Sequence, residues 1–115
     1  METEDSLLLK LTGNMPLFRI VDFLVEHKGL DFTKKDIVVG AVISKASLFI
    51  YWDDLEKQGI VRVTRSFGKT KLYTLNMESL ITQKILELEA VLIDRALDEA
   101  RQQHLVAQKE VAVVV

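Results

Sequence analysis

The sequence predicts a mostly helical α+β fold: a winged helix-turn-helix with a long C-terminal helix. Three observations support this prediction. Two short helical segments are separated by only a few residues, and an alternating stretch with a Gly-Lys turn follows them. The stretch from 77 to 106 then contains strong helix formers and neither Gly nor Pro. We expect an N-terminal extension (1–13), a winged helix-turn-helix domain (14–76), a dimerisation helix (77–106) and a tail (107–115).

The bulk composition favours one compact domain in a reducing compartment. The chain has 115 residues, 49% of them hydrophobic, and no cysteine. Its first residues are acidic, and no apolar run reaches the roughly 20 residues that span a membrane. We therefore expect a cytoplasmic protein without membrane contact. His27 and His104 lack companion ligands, and no nucleophile or phosphate-loop pattern is present, which argues against a metal, a cofactor or an enzyme.

The first elements are read from capping residues and apolar spacing. Residues 6–12 form a short apolar run that suits either a helix or a strand. Asn14 is a plausible N-cap with Pro16 in the first turn, and apolar residues then recur at helical spacing until Lys28-Gly29. The first helix of the domain should occupy this segment.

Two further segments predict the helix-turn-helix. Thr33 and Asp36 resemble a capping box that opens a helix over 37–42, and Ser44 is a second N-cap. The third helix places Leu48 and Trp52 on one stripe and ends at Gln58-Gly59. Val42 stands where such turns often have glycine. Since a β-branched residue tolerates positive φ badly, we expect a turn of another type.

The hairpin carries the positive charge of the chain. Residues 60–65 and 72–75 alternate around a turn at Gly68-Lys69. Although the whole chain has net charge −2, the window 60–76 holds four basic residues and no acidic one. This predicts a basic wing whose four cations face no opposing acid and meet phosphates, with a solvated hairpin as the alternative.

The outward face of the third helix is apolar and acidic, where a base-reading helix usually carries Arg, Asn, Gln or Lys. It holds Ala46, Ser47, Phe49, Ile50, Asp53 and Asp54. Apolar side chains there can contact thymine methyl groups, but an exposed Phe49-Ile50 pair also suits a protein-binding winged helix. Lys34 and Lys35 either extend the phosphate footprint or are simply solvated. The candidate DNA-binding residues are Lys34, Lys35, Lys45, Ala46, Ser47, Phe49, Ile50, Arg62, Arg65, Lys69, Thr70 and Lys71.

The C-terminal helix predicts a homodimer, because its apolar surface exceeds what one small domain can cover. We expect the first helix of the domain and a second subunit to share this surface. Residues 111–115 are apolar but too few to assign. The predicted dimer interface comprises Ile81, Ile85, Leu88, Leu92 and Ala96.

Five fragments together resemble archaeal winged-helix transcriptional regulators of the broad MarR/ArsR type, over roughly residues 13–95. They are residues 19–24, 36–37, 43–45, 55–61 and 72–76, which read RIVDFL, DI, ISK, LEKQGIV and LYTLN. The resemblance implies a homodimer that binds a palindrome in double-stranded DNA and represses or activates transcription. It names neither a target gene nor a small-molecule effector.

Overall fold

The structure, a computed structural model, describes the backbone of residues 5–114 and the side chains as far as residue 109. Residues 1–4 of the predicted N-terminal extension and residue 115 of the predicted tail lie outside this part. The mostly helical α+β prediction is confirmed. The elements are α1 (Leu7–Thr12), α2 (Pro16–Glu26), α3 (Lys34–Ala41), α4 (Lys45–Lys57), β1 (Val61–Phe67), β2 (Thr70–Leu75) and α5 (Leu80–Val114).

The ambiguous run at 6–12 is helical, and α2 begins differently from the prediction. Ser6 caps α1, because its hydroxyl accepts a hydrogen bond from the Leu9 amide at 3.1 Å. The predicted Asn14 cap is wrong: Met15 is the N-cap of α2 and makes no side-chain capping bond. Pro16 at the first helical position has no N–H to satisfy, so less capping is needed there. Helix α2 ends at Glu26, short of the expected Lys28.

The turn of the helix-turn-helix holds Val42 in the left-handed region, at φ 57° and ψ 54°. The expectation of another turn type is therefore wrong. The Val42 amide donates to Val39 O at 3.2 Å and the Ile43 amide donates to Val38 O at 3.2 Å, which is a Schellman closure of α3. Ile43 also packs against the core. These contacts hold a backbone conformation that a valine disfavours on its own.

The capping residues of α3 and α4 behave as predicted. The Asp36 amide donates to Thr33 Oγ1 and the Thr33 amide donates to Asp36 Oδ2, each at 3.1 Å, which completes the capping box. The Ser47 amide donates to Ser44 Oγ at 3.0 Å. Inside α3, Gly40 lies against α2, and a methyl group there would overlap the ring edge of Phe23.

The wing is an antiparallel pair that runs from Val61↔Leu75 to Phe67↔Thr70, with an irregularity between Val63 and Arg65. Gly68 leads the turn with φ 59°, as the first central residue of a type II′ turn requires. Phe32 forms an isolated bridge with Tyr73 through two backbone hydrogen bonds of 2.8 and 2.7 Å. This bridge joins the segment before α3 to the wing.

A single core lies between α2, α3, α4 and the sheet. The rings of Trp52 and Tyr73 meet edge to face, with centroids 4.9 Å apart. Packing of this kind holds α4 and β2 in a fixed relation. The buried cluster consists of Ile20, Val21, Leu24, Val25, Ile37, Leu48, Trp52, Leu55, Ile60, Val61, Tyr73 and Leu75.

Helix α5 has 35 residues and continues past the predicted end near Leu105. At 1.5 Å per residue it is about 52 Å long, and the molecule measures 70 × 32 × 21 Å. Its first turns pack on the domain through Thr82, Ile85 and Leu86, whereas every described side chain from 97 to 109 is exposed. The distal half therefore projects. Among the described residues, no helix is both long and apolar enough to cross a membrane.

Candidate nucleic-acid interface

Helix α4 has one buried and one exposed face, as its apolar spacing predicted. Leu48, Trp52 and Leu55 are buried in the core. The outward face presents Phe49, 55% exposed, and Ile50, 69% exposed. Lys45 and Ala46 are exposed in the first turn, whereas Ser47 is half-buried. Any partner of this helix must meet these side chains.

Three of the four wing cations are available to a partner. Arg62, Lys69 and Lys71 are exposed, and within the described part of the chain they form no ion pair. Lys69 lies at the tip of the hairpin, next to Gly68, with Lys71 two residues farther along β2. The wing thus carries uncompensated positive charge at its end.

Arg65, the fourth cation, is held by a carboxylate. Its Nε and Nη2 donate to the two oxygens of Asp31 at 2.9 and 3.1 Å. Thr64 Oγ1 also donates to Asp31, at 2.6 Å. The expectation that no acid opposes the wing cations is therefore wrong for Arg65. A count within the window 60–76 missed Asp31 because it lies 34 residues before its partner.

These hydrogen bonds have an electrostatic consequence for Asp31. Donation from Arg65 and then from Thr64 holds the pKa of the Asp31 carboxyl below its usual value. The carboxyl thus stays ionised at neutral pH and fixes the irregular part of β1, between Val63 and Arg65. Asp31 belongs to the interface as a residue that positions the wing, a role that the sequence did not indicate.

Lys34 rests on aromatic rings instead of extending into solvent. Its ammonium lies 5.5 Å from the Trp52 ring centroid and 5.7 Å from those of Phe49 and Tyr73. The Lys45 ammonium lies 5.9 Å from the centroid of Phe49. Two cations therefore flank the exposed Phe49 ring, at distances that allow cation–π attraction. Lys35, by contrast, is exposed.

Two exposed apolar residues of the helix-turn-helix were not predicted as part of this surface. Val39 is 71% exposed and Val42 is 74% exposed. Their signal was present, because Ile37 and Ala41 define the buried face of α3 and Val39 does not share their phase. Both valines add exposed apolar surface to the helix-turn-helix, Val39 on α3 and Val42 in the turn before α4.

The predicted dimer residues divide into two groups on α5. Ile85, Leu92 and Ala96 are half-buried, and Ile85 packs against the core of its own chain. Ile81 and Leu88 stay exposed, at 41% and 39%. Leu88 also borders an open apolar pocket of about 240 Å³ that is lined mainly by residues of α1, α2, α4 and α5. Within the described residues no cluster of three potential metal ligands is present.

Comparison with known proteins identifies the architecture. A MarR-family transcriptional regulator from Silicibacter pomeroyi superposes with TM-score 0.54 at 16% identity, over 90% of this chain and 75% of that one. NadR in complex with 4-hydroxyphenylacetate superposes with TM-score 0.54 at 20% identity, over 99% of this chain and 95% of that one. The chain has the winged-helix fold. No protein-family profile and no curated protein matches the sequence.

The winged-helix likeness confirms the fold that the resemblance implied. At these identities it concerns the course of the chain and not its ligands. In winged-helix terms, α3 and α4 form the helix-turn-helix, β1 and β2 form the wing, and the Phe32–Tyr73 bridge occupies the third strand position of the small sheet. The archaeal type stays a prediction.

Proposed function

We propose that this protein is a DNA-binding transcriptional regulator that acts as a homodimer on double-stranded DNA. The observation that carries the proposal is the pairing of an exposed α4 face with a wing whose Arg62, Lys69 and Lys71 have no acidic partner among the described residues. The winged-helix fold shared with a MarR-family transcriptional regulator supports it. In this function the chain needs neither a catalytic group nor a cofactor.

The wing supplies the sequence-independent part of binding. Its cations meet phosphates, and each neutralised phosphate releases condensed counterions, so that affinity falls steeply as salt rises. The net charge of −2 is no obstacle, because four bases and no acid lie between residues 60 and 76. Thr70 stands between the two wing lysines and can donate its hydroxyl to the same backbone.

Helix α4 enters the major groove by its N-terminal end. Lys45, Ala46 and Ser47 form its first turn, where the helix dipole and the Lys45 charge favour approach to a phosphate. Asp53 and Asp54 lie in later turns, and their charge favours an orientation in which that end leaves the groove. Lys35, at the start of α3, then lies near the backbone of the same groove.

A second copy covers the exposed apolar side of α5. Ile81 and Leu88 lie seven residues apart, the spacing of a coiled-coil seam, and Val91 and Leu97 are also exposed. Since the distal half of α5 makes no contact that buries its described side chains, a symmetric partner helix is the simplest cover. Such a dimer places two α4 helices on two half-sites.

Retardation of duplex DNA tests the wing. The wild-type protein should shift random duplex at low salt, and Lys69→Ala with Lys71→Ala should weaken binding to every sequence alike. The plot of log K against log salt has a negative slope, and each lost phosphate contact should reduce its magnitude by about 0.9. The control is Lys84→Ala with Arg101→Ala, which removes the same charge from exposed positions on α5. An unchanged slope in the wing variant would contradict the assignment.

Sedimentation tests the dimer. Leu88→Glu should give a monomer, because it places charge on the proposed seam, whereas Gln83→Glu adds the same charge on another side of α5 and should leave the dimer intact. A wild-type protein that already sediments as a monomer rules out this role for α5.

A protein-binding winged helix is the second candidate, favoured by the exposure of Phe49 and Ile50. It predicts that the wild-type protein does not retard duplex DNA even at low salt, and that Phe49→Ala abolishes capture of a protein partner. The retardation experiment therefore separates the two candidates.

A further inference from the structure

The outward face of α4 has little with which to form hydrogen bonds to bases. Bidentate recognition of guanine uses Arg or Lys, and that of adenine uses Asn or Gln. Between 45 and 54 the only residue of these four types is Lys45, whose ammonium lies 5.9 Å from the Phe49 ring centroid. Ser47 Oγ accepts a hydrogen bond from Ser44 Oγ at 2.9 Å, so this half-buried side chain offers a base one short O–H donor and no bidentate pair. Hydrogen-bond readout is therefore weak on this helix.

The side chains that do face outward are apolar and prominent. Phe49 and Ile50 are more than half exposed, and Ala46 is exposed one turn earlier. In the major groove, the apolar group on a base edge is the C5-methyl of thymine, which such side chains contact favourably. We propose that α4 recognises thymine methyl groups, with Phe49 and Ile50 as the specificity-determining residues. This inference rests on the proposed DNA-binding function.

The Phe49 ring is held in place before any DNA arrives. The Lys34 ammonium lies 5.7 Å from its centroid and the Lys45 ammonium lies 5.9 Å from it. Lys34 also contacts the ring of Trp52, which is 2% exposed and belongs to the rigid core. A restrained ring loses little conformational entropy on binding, so more of its contact energy appears as affinity.

Charge complementarity at the N-terminal half of this face favours DNA over an apolar protein surface, since the acidic Asp53 and Asp54 lie in later turns. Lys34 and Lys45 put two positive charges beside the ring, and Lys35 is exposed at the start of α3. A thymine methyl in the major groove lies between two rows of phosphates, which such cations match. A protein patch would leave their charges to be desolvated.

The experiment compares thymine with deoxyuridine, which lacks only the methyl group. The full chain is used with a duplex selected from random sequence, and with the random pool itself if selection enriches nothing. We expect wild-type affinity to fall about three- to fivefold for each contacted methyl that is removed. Phe49→Ala and Ile50→Ala should each shrink the thymine-to-uracil ratio and leave the salt slope unchanged. Leu11→Ala, an equally exposed residue on α1, should leave the ratio as in wild type.

The outcomes distinguish this inference from the function on which it rests. The wing variant, Lys69→Ala with Lys71→Ala, should keep the ratio of its affinities for thymine and uracil duplexes, while its affinity should depend less on salt. Phe49→Ala should do the reverse. If the wild-type protein binds thymine and uracil duplexes equally well at low salt, thymine recognition is wrong but the DNA-binding function stands. Absence of binding to any duplex overturns the DNA-binding function as well, and with it the inference.

Discussion

The helix-turn-helix and the wing are held in place by different forces. Helices α3 and α4 are fixed by close packing: Gly40 lies against Phe23, and Leu48, Trp52 and Leu55 fill the core. The wing is anchored in the core by the end of β2, where Tyr73 and Leu75 are buried, but β1 buries only Val61 and depends on polar contacts. Asp31 binds Thr64 and Arg65, and Thr74 Oγ1 donates to Leu30 O at 2.7 Å.

This difference separates stability from orientation. Any change in the shape of a close-packed apolar side chain destabilises the fold. Substitutions in the helix-turn-helix should therefore alter the free energy of unfolding of the whole domain. Exposed hydrogen bonds and ion pairs contribute little to that free energy, but they select one arrangement of the chain. Changes at the base of the wing should therefore alter its order more than the stability of the fold.

The largest effect is expected at Gly40. Gly40→Ala would place a methyl group inside the Phe23 ring edge, and overpacking of this kind costs about 1–3 kcal/mol. The better helix propensity of alanine returns up to about 1 kcal/mol, so the net change in urea unfolding should be destabilising. Val39→Ala, an exposed neighbour on α3, is the control and should have little effect. A more stable Gly40→Ala protein would show that α2 and α3 are not in close contact.

The next effect is expected at Val42, with the opposite sign. A left-handed conformation costs a non-glycine residue roughly 1–2 kcal/mol, while glycine adds entropy to the unfolded chain, worth about 0.4–1 kcal/mol. Val42→Gly should therefore stabilise the domain by about 1 kcal/mol in urea unfolding. Val39→Gly is the matched control: it is equally exposed but lies inside α3, and should destabilise by about 1 kcal/mol. Two changes of the same sign would contradict the strain at Val42.

A smaller effect on stability is expected at Asp31. Asp31→Asn removes the bidentate partner of Arg65, so NMR order parameters should fall at residues 64–66 while those of α4 stay the same. The unfolding midpoint should hardly move, because the pair is exposed. Asp98→Asn, which removes the same charge from the Asp98–Arg101 pair on α5, should leave the wing unchanged. Undisturbed order in the Asp31 variant would mean that the backbone alone holds the wing.

The smallest effect is a pH dependence of the same contact. The folded pKa of Asp31 is depressed, so its contribution is complete above the ordinary aspartate pKa of about 3.9 and is lost as pH falls through the folded pKa. The Arg65 Nε–H resonance should therefore shift only below about pH 4, and not at all in Asp31→Asn. A shift between pH 5 and 7 would point to another group.

Local and periodic features of this fold could be predicted from sequence. The capping box at Thr33, the cap at Ser44 and the buried face of α4 each depend on residues within a few positions of one another. The contacts that were missed are of another kind. Asp31 and Arg65 are 34 residues apart and meet only because the chain folds back after α3 and α4. Lys34 reaches the rings of Phe49 and Tyr73 only because α3, α4 and β2 pack together.

Val42 shows a second reason for failure. A β-branched residue does disfavour positive φ. At Val42, however, two backbone hydrogen bonds and the packing of Ile43 override that preference. The Asn14 cap was wrong because α2 starts one residue later than expected, with Met15 as the N-cap and Pro16, preset for helical φ, as the first helical residue. Side-chain preference predicts such positions only when tertiary contacts do not compete.

The place of Trp52 has a practical consequence for spectroscopy. It is the only tryptophan of the chain, is buried behind the outward face of α4, and has the Lys34 ammonium 5.5 Å from its ring. A charge at that distance shifts the emission of an indole, so intrinsic fluorescence should respond whenever Lys34 leaves the ring for a phosphate. The protein thus carries its own optical probe of the first turn of α3, without any label.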